Sequence, residues 1–191
     1  IIQCISFCLM QLGTYYWNNL GIYKIFKYVN STIFLMKATK KSKTMQIAAS
    51  FYWLGDILIT IKGSKLCFVF AGVGFSIGHI YIQFQLGKIN KYKYVLFSLL
   101  IASLVPSYLW LNENINMIEL ICMIGYITVC ASCMVRFFLS KSGLLVGGVL
   151  FFVSDCLLAV LLYGKLTKLQ GLVVDIGLLL AYYLAVEVYF G

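Results

Sequence analysis

The run Gly143–Gly164 constrains this chain most: it is apolar throughout and carries one charge, the carboxylate of Asp155. A helix needs about 20 such residues to cross a bilayer. At about 1.5 Å per residue, Asp155 lies about 15 Å from the Lys165 end, close to the midplane. An ionised aspartate at that depth costs on the order of 3 kcal/mol on insertion scales. A chain that keeps a carboxyl there needs a partner for it, a water-filled cavity around it, or a proton on it.

The rest of the chain is built the same way. It has 191 residues, 62% hydrophobic and 11% charged, where a soluble domain carries about 25% charged residues. No polar stretch is long enough for a separate soluble domain, so one integral membrane domain over 1–191 is expected. The chain begins at Ile1 rather than Met, and its first segment lacks the basic n-region and cleavage site of a signal peptide. The N-terminus is therefore expected to be incomplete or processed. The formal charge of +9 sits in short loops. That pattern fits topology and lipid-headgroup contact, and excludes a nucleic-acid surface. The seven cysteines fall mostly inside apolar runs. Cys130 and Cys133 have a Cys-x-x-Cys spacing but no flanking ligand set, so they read as packing residues.

Apolar runs predict an all-α polytopic bundle of about eight spans: Ile2–Ile22, Ile25–Ala38, Met45–Ile61, Leu66–Leu86, Tyr94–Leu111, Ile115–Phe138, Gly143–Gly164 and Leu169–Phe190. The second is short and is broken by Asn30, Ser31 and Thr32. Loops after the second, fourth and sixth spans hold Lys37, Lys40, Lys41, Lys43, Lys88, Lys91, Lys93 and Lys141, with Arg136 just inside. The opposite loops hold Lys24, Lys27, Lys62, Lys65, Lys165 and Lys168. This bias of nine against six predicts both termini in the cytoplasm.

Four spans carry groups that lipid does not solvate. The third has Gly55-Asp56 with Trp53 and Thr60 on one face; the fourth has the stripe Gly72, Phe75, Ser76, His79 and Gln83. The seventh has Gly148, Phe151, Asp155 and Ala159, and the eighth has Gly171, Asp175, Tyr182, Tyr183 and Glu187. Gly72, Gly148 and Gly171 are expected to let helix backbones approach closely. A lone buried Asp also serves as a helix–helix hydrogen-bonding device, and a lone His as a structural donor. Asp175 and Glu187 read as packing or interfacial residues, and Tyr182 and Tyr183 equally as interfacial anchors. The argument for a site is co-occurrence: two deep aspartates and the chain's single histidine, expected in one tapering pocket. No metal is expected, since no carboxylate–His pair stands at ligand spacing, and no cofactor.

At these residues the chain resembles the YhhN family, small eight-span membrane proteins known as lysoplasmalogenases. The matching pieces are Gly55-Asp56-Ile57-Leu58, Phe68-x-x-x-Gly72-x-x-Phe75-x-x-Gly78-His79, and Gly-x-Leu-Phe-x-x-Ser-Asp-x-x-Leu-Ala over Gly148–Ala159. Tyr182-Tyr183-x-Ala185 fits the family's terminal Tyr-Tyr-x-Ala-Gln, although the Gln position is Val186 here. The family's Lys-Pro in the second span appears as Lys27-Tyr28, and Tyr81 follows His79 by two positions instead of three. The resemblance implies hydrolysis of the vinyl-ether bond of lysoplasmalogen to a fatty aldehyde and a glycerophospho-base. In a eukaryotic cell it implies an endoplasmic reticulum membrane.

Vinyl ethers hydrolyse by proton transfer to carbon, then water attack on an oxocarbenium ion. Asp56 and Asp155 can supply acid and base in either order, and His79 can orient water or stabilise charge. Tyr182, Tyr183 and Ser154 can line the site, and Lys62 and Lys165 can hold the phosphate of the lysophospholipid. The expected partners are that lysophospholipid and membrane lipid, with no nucleic acid. The alternative is a transporter or channel in which Asp and His relay protons or bind a solute. An intramembrane aspartyl protease fits less well, because Gly-x-Gly-Asp and Tyr-Asp signatures are missing: Leu54-Gly55 precedes Asp56 and Ser154 precedes Asp155.

Overall fold

The computed structural model describes residues 5–6, 8–10, 20–61, 65–86, 93–95, 98–99, 117–140, 142–163 and 166–191. Among them there is helix and no strand. Six long helices are present: α1 Leu20–Ala38, α2 Lys43–Ile59, α3 Lys65–Gln83, α4 Met117–Leu139, α5 Leu145–Tyr163 and α6 Lys168–Phe190. Leu66–Gln83, Leu120–Leu139 and Leu169–Phe190 are long and apolar enough to cross a membrane, and Leu145–Leu161 is a shorter apolar helix. The expected first and fifth spans fall largely outside the described residues.

Local chemistry fixes the ends. Ser42 caps α2 from an extended conformation (φ −62°, ψ 155°), its side chain accepting from Met45 N, which satisfies one of the donors a helix start leaves open. The Gln46 side chain braces the preceding turn by donating to the carbonyls of Thr39 and Lys41. At α6, Thr167 Oγ1 accepts from Gln170 N while Gln170 Oε1 accepts from Thr167 N, a reciprocal capping box.

One boundary differs from the sequence expectation. No break occurs between Ile22 and Ile25, and Asn30, Ser31 and Thr32 do not interrupt the helix: α1 runs continuously from Leu20 to Ala38. Hydroxyl side chains break helices when they bond to nearby backbone. Here Ser31 Oγ donates to Asp56 and Thr32 Oγ1 accepts from the Trp53 indole, both on α2. The helix is thus about 28 Å long, close to the hydrocarbon thickness of about 30 Å.

The chain forms two compact units: Ile1–Tyr81 with Phe190–Gly191, and Ile82–Tyr189. In the first, α1 packs on α2, and α2 meets α3 through glycines. A Cβ on Gly55 would stand 2.9 Å from the Phe75 ring, one on Gly78 2.7 Å from the Tyr52 ring, and one on Gly74 3.2 Å from the Phe51 carbonyl oxygen. In the second, α4 packs on α5. A Cβ on Gly148 would stand 2.7 Å from the Phe137 ring and 3.3 Å from Met134 Cα, and one on Gly147 2.7 Å from the Tyr189 ring. The close approach expected at Gly148 is therefore present. At Gly72 and Gly171 no such approach is seen among the described residues, where a Cβ would meet nothing within 4 Å.

Apolar residues also line the outside. Leu66, Phe70, Val73 and Ile80 form an exposed stripe on α3, and Leu169, Val173, Ile176, Leu180 and Leu184 form one on α6. In the same helices His79, Gln83, Tyr182 and Ala185 are buried. Polar side chains inside and large apolar ones outside is the arrangement a lipid solvent selects.

Candidate active site

The first unit holds Asp56 in a polar seam between α1 and α2. Asp56 is 1% exposed. Its Oδ2 accepts from Ser31 Oγ at 2.5 Å, and its Oδ1 stands 3.2 Å from Lys27 Nζ in an ion pair whose two side chains are both buried. Lys27, Asn30, Ser31, Phe34 and Ala38 are all buried. Their spacing of three and four makes them one face of α1, and that face presents the ammonium and the hydroxyl to Asp56. A turn further along α2, Tyr28 and Thr60 share a hydroxyl–hydroxyl hydrogen bond of 2.6 Å, and Thr60 Oγ1 also donates to the Ile57 carbonyl. Taking a carboxylate out of water is tolerable only with such partners.

His79 lies in the same unit on α3 and is 1% exposed. Its Nδ1 is hydrogen-bonded to the Tyr52 hydroxyl at 2.8 Å, and the Tyr52 ring meets the imidazole edge-on at a centroid separation of 5.3 Å. Gly78 gives that ring its room, while Phe75 and Phe190 flank it at 5.8 Å each. The imidazole is thereby fixed in orientation, as a group that handles protons or water must be.

The second unit holds Asp155 on α5, 7% exposed. Tyr126 on α4 donates its hydroxyl to Asp155 Oδ1 at 2.9 Å, and Cys130, one turn along α4, is buried. Gly148 brings α4 and α5 close enough for this contact. Ser154 is buried beside Asp155 in the chain. Tyr182 is buried on α6, T-stacked on Phe151 at 5.5 Å and on Tyr183 at 5.4 Å. Asp175 is half-buried and Glu187 exposed. Lys62 and Lys165 lie outside the described residues.

The structure thus puts Asp56 and His79 in one unit and Asp155, Ser154, Tyr182 and Tyr183 in the other, all buried except the half-buried Tyr183. Sequence reasoning missed four supporting side chains: Lys27, Ser31, Tyr52 and Tyr126. Lys27 reads as a loop lysine, yet its register with Asn30, Ser31 and Phe34 marks a buried face. Tyr52 stands four residues before Asp56 on the inward face of α2. Tyr126 stands in register with Cys130, Cys133 and Phe137, the last three buried.

A comparison with curated proteins and one with solved structures each found no match. A comparison with family models matched the YhhN family over residues 10–187, which spans every described site residue except the last aromatic pair, Tyr189 and Phe190. With nearly the whole chain covered, and the Asp56, His79 and Asp155 motifs lying in the matched region, this chain is a member of the YhhN family.

Proposed function

We propose that this chain is a multi-pass membrane hydrolase of the lysoplasmalogenase type, which cleaves the vinyl-ether bond of a lysophospholipid. The observation that carries the reading is the pair of buried aspartates, each held by dedicated donors inside apolar helices: Asp56 by Ser31 and Lys27, and Asp155 by Tyr126. Buried carboxyls with such support are expensive to keep in a membrane and mark chemistry. Membership of the family supports the same class of substrate.

In the proposed reaction one aspartic acid gives its proton to the outer vinyl carbon, and the ether oxygen stabilises the resulting oxocarbenium ion. The other aspartate takes a proton from the water that attacks the carbon bearing the ether oxygen. The hemiacetal so formed breaks its carbon–oxygen bond to the glycerol, which leaves as an alcohol with the proton returned, and an aldehyde remains. One water is consumed and no oxidant is needed. His79, oriented by Tyr52, acts on that water. The surrounding spans, about eight in number, supply a lipid-facing shell from which an amphiphile enters.

The test is to purify the chain in detergent and offer lysoplasmalogen beside its ester-linked counterpart. Aldehyde release from the vinyl ether, with the ester untouched, is the expected outcome. Release of fatty acid from the ester, or no product from either, contradicts the proposal.

A further inference from the structure

Asn30 is the most deeply buried polar side chain of α1, 1% exposed. Neither its carboxamide oxygen nor its carboxamide nitrogen has a hydrogen-bond partner among the described residues. Such orphaned amides are rare, since an unmet buried donor and acceptor each lose the hydrogen bonds that water gave them. The side chain lies one turn from Lys27 and next to Ser31, the two residues that hold Asp56. On the same face, therefore, one carboxamide is unserved while its neighbours are paired.

The chemistry of the missing partner can be read from this setting. A carboxamide offers a donor and an acceptor side by side, and a hydroxyl group, itself both donor and acceptor, complements it. The cation one turn away, Lys27, is already neutralised by Asp56 at 3.2 Å, so this pair does not select an anion such as phosphate. A neutral, hydroxyl-bearing ligand fits.

We propose that Asn30 is a specificity-determining residue that binds the free secondary hydroxyl of a lysophospholipid's glycerol, next to the Asp56 carboxylate. This rests on the hydrolase reading for the identity of the lipid. In such a lipid only two carbons separate that hydroxyl from the ether oxygen at the first glycerol position. Gripping the hydroxyl on α1 therefore sets the ether group at a fixed distance from Asp56 on α2. A diacyl lipid, whose second position is esterified, has no hydroxyl to offer and leaves the buried amide unmet, which is how hydrogen-bonding sites reject analogues.

The experiment uses the full chain in detergent micelles and two probes that vinyl-ether chemistry cannot cleave: a saturated 1-alkyl-lysophosphocholine and its 2-deoxy counterpart. Wild type is expected to bind the hydroxyl probe about ten- to a hundredfold more tightly than the deoxy probe, the worth of one or two buried hydrogen bonds. Asn30→Leu keeps the volume and removes the amide, so it is expected to bind both probes alike, at the wild-type affinity for the deoxy probe. Without ligand the variant should unfold no earlier than wild type, because it buries no orphaned polar group. Equal binding of the two probes by wild type overturns the proposal whatever the variant does. An undiminished hydroxyl preference in Asn30→Leu overturns it too, as a buried water serving the amide would give that result. Aldehyde release is measured separately: hydroxyl-dependent binding without aldehyde keeps the Asn30 assignment and sinks the hydrolase, and aldehyde without hydroxyl-dependent binding does the reverse.

Discussion

Asp56 and Lys27 form a buried ion pair between two helices. The ammonium at 3.2 Å and the Ser31 hydroxyl give the carboxylate its partners in the seam between α1 and α2. Removing one member of a buried ion pair strands the other, a loss on the order of 3 kcal/mol. Lys27→Met, which retains the apolar stem, is therefore expected to lower stability by about that amount in a denaturant titration of the detergent-solubilised protein. Adding Asp56→Asn to it should restore part of the loss, since the two groups are coupled. Strict additivity of the two substitutions would show that the pair contributes nothing. The aspartates were legible in the sequence because each is a lone charge in a long apolar run. Lys27 was not, because a lysine near the end of such a run is ordinarily a topology signal; only the partner on another helix turns it into a buried cation.

Helices α2 to α6 were legible as elements, with ends within a few residues of the apolar runs, because lipid demands long unbroken apolar segments. The α1 region was not, since Asn30, Ser31 and Thr32 look like a helix-breaking cluster until Asp56 and Trp53 are seen to engage two of them. Glycines show the same limit. Sequence offers Gly72 and Gly148 as equals, whereas a Cβ on Gly148 would press on Phe137 and Met134 and one on Gly72 would meet nothing among the described residues. Gly148→Val is expected to destabilise by about 1–3 kcal/mol, the range for overpacking. Gly72→Ala should stay within about 0.5 kcal/mol of wild type. The same unfolding titration measures both, and equal effects at the two positions would contradict the packing described for α4 and α5.

For the molecule as a whole, the charge distribution sets orientation. With Lys27 buried in α1, the loop bias of nine against six becomes nine against five, which strengthens the expectation of cytoplasmic termini. Single-cysteine variants at Lys40, Thr167 and Gly191 test this in sealed vesicles with a membrane-impermeant thiol reagent. Positions 40 and 191 should label from one face and position 167 from the other; labelling of 40 and 191 from opposite faces contradicts the topology. In the proposed reaction the two buried carboxyls act as acid and base. The most direct test is aldehyde release from lysoplasmalogen by wild type, Asp56→Asn and Asp155→Asn, each shown to be folded. Loss of a positioned acid or base predicts a fall of at least about a hundredfold in each variant, with lysophospholipid binding retained. Wild-type rates in either variant would contradict the account.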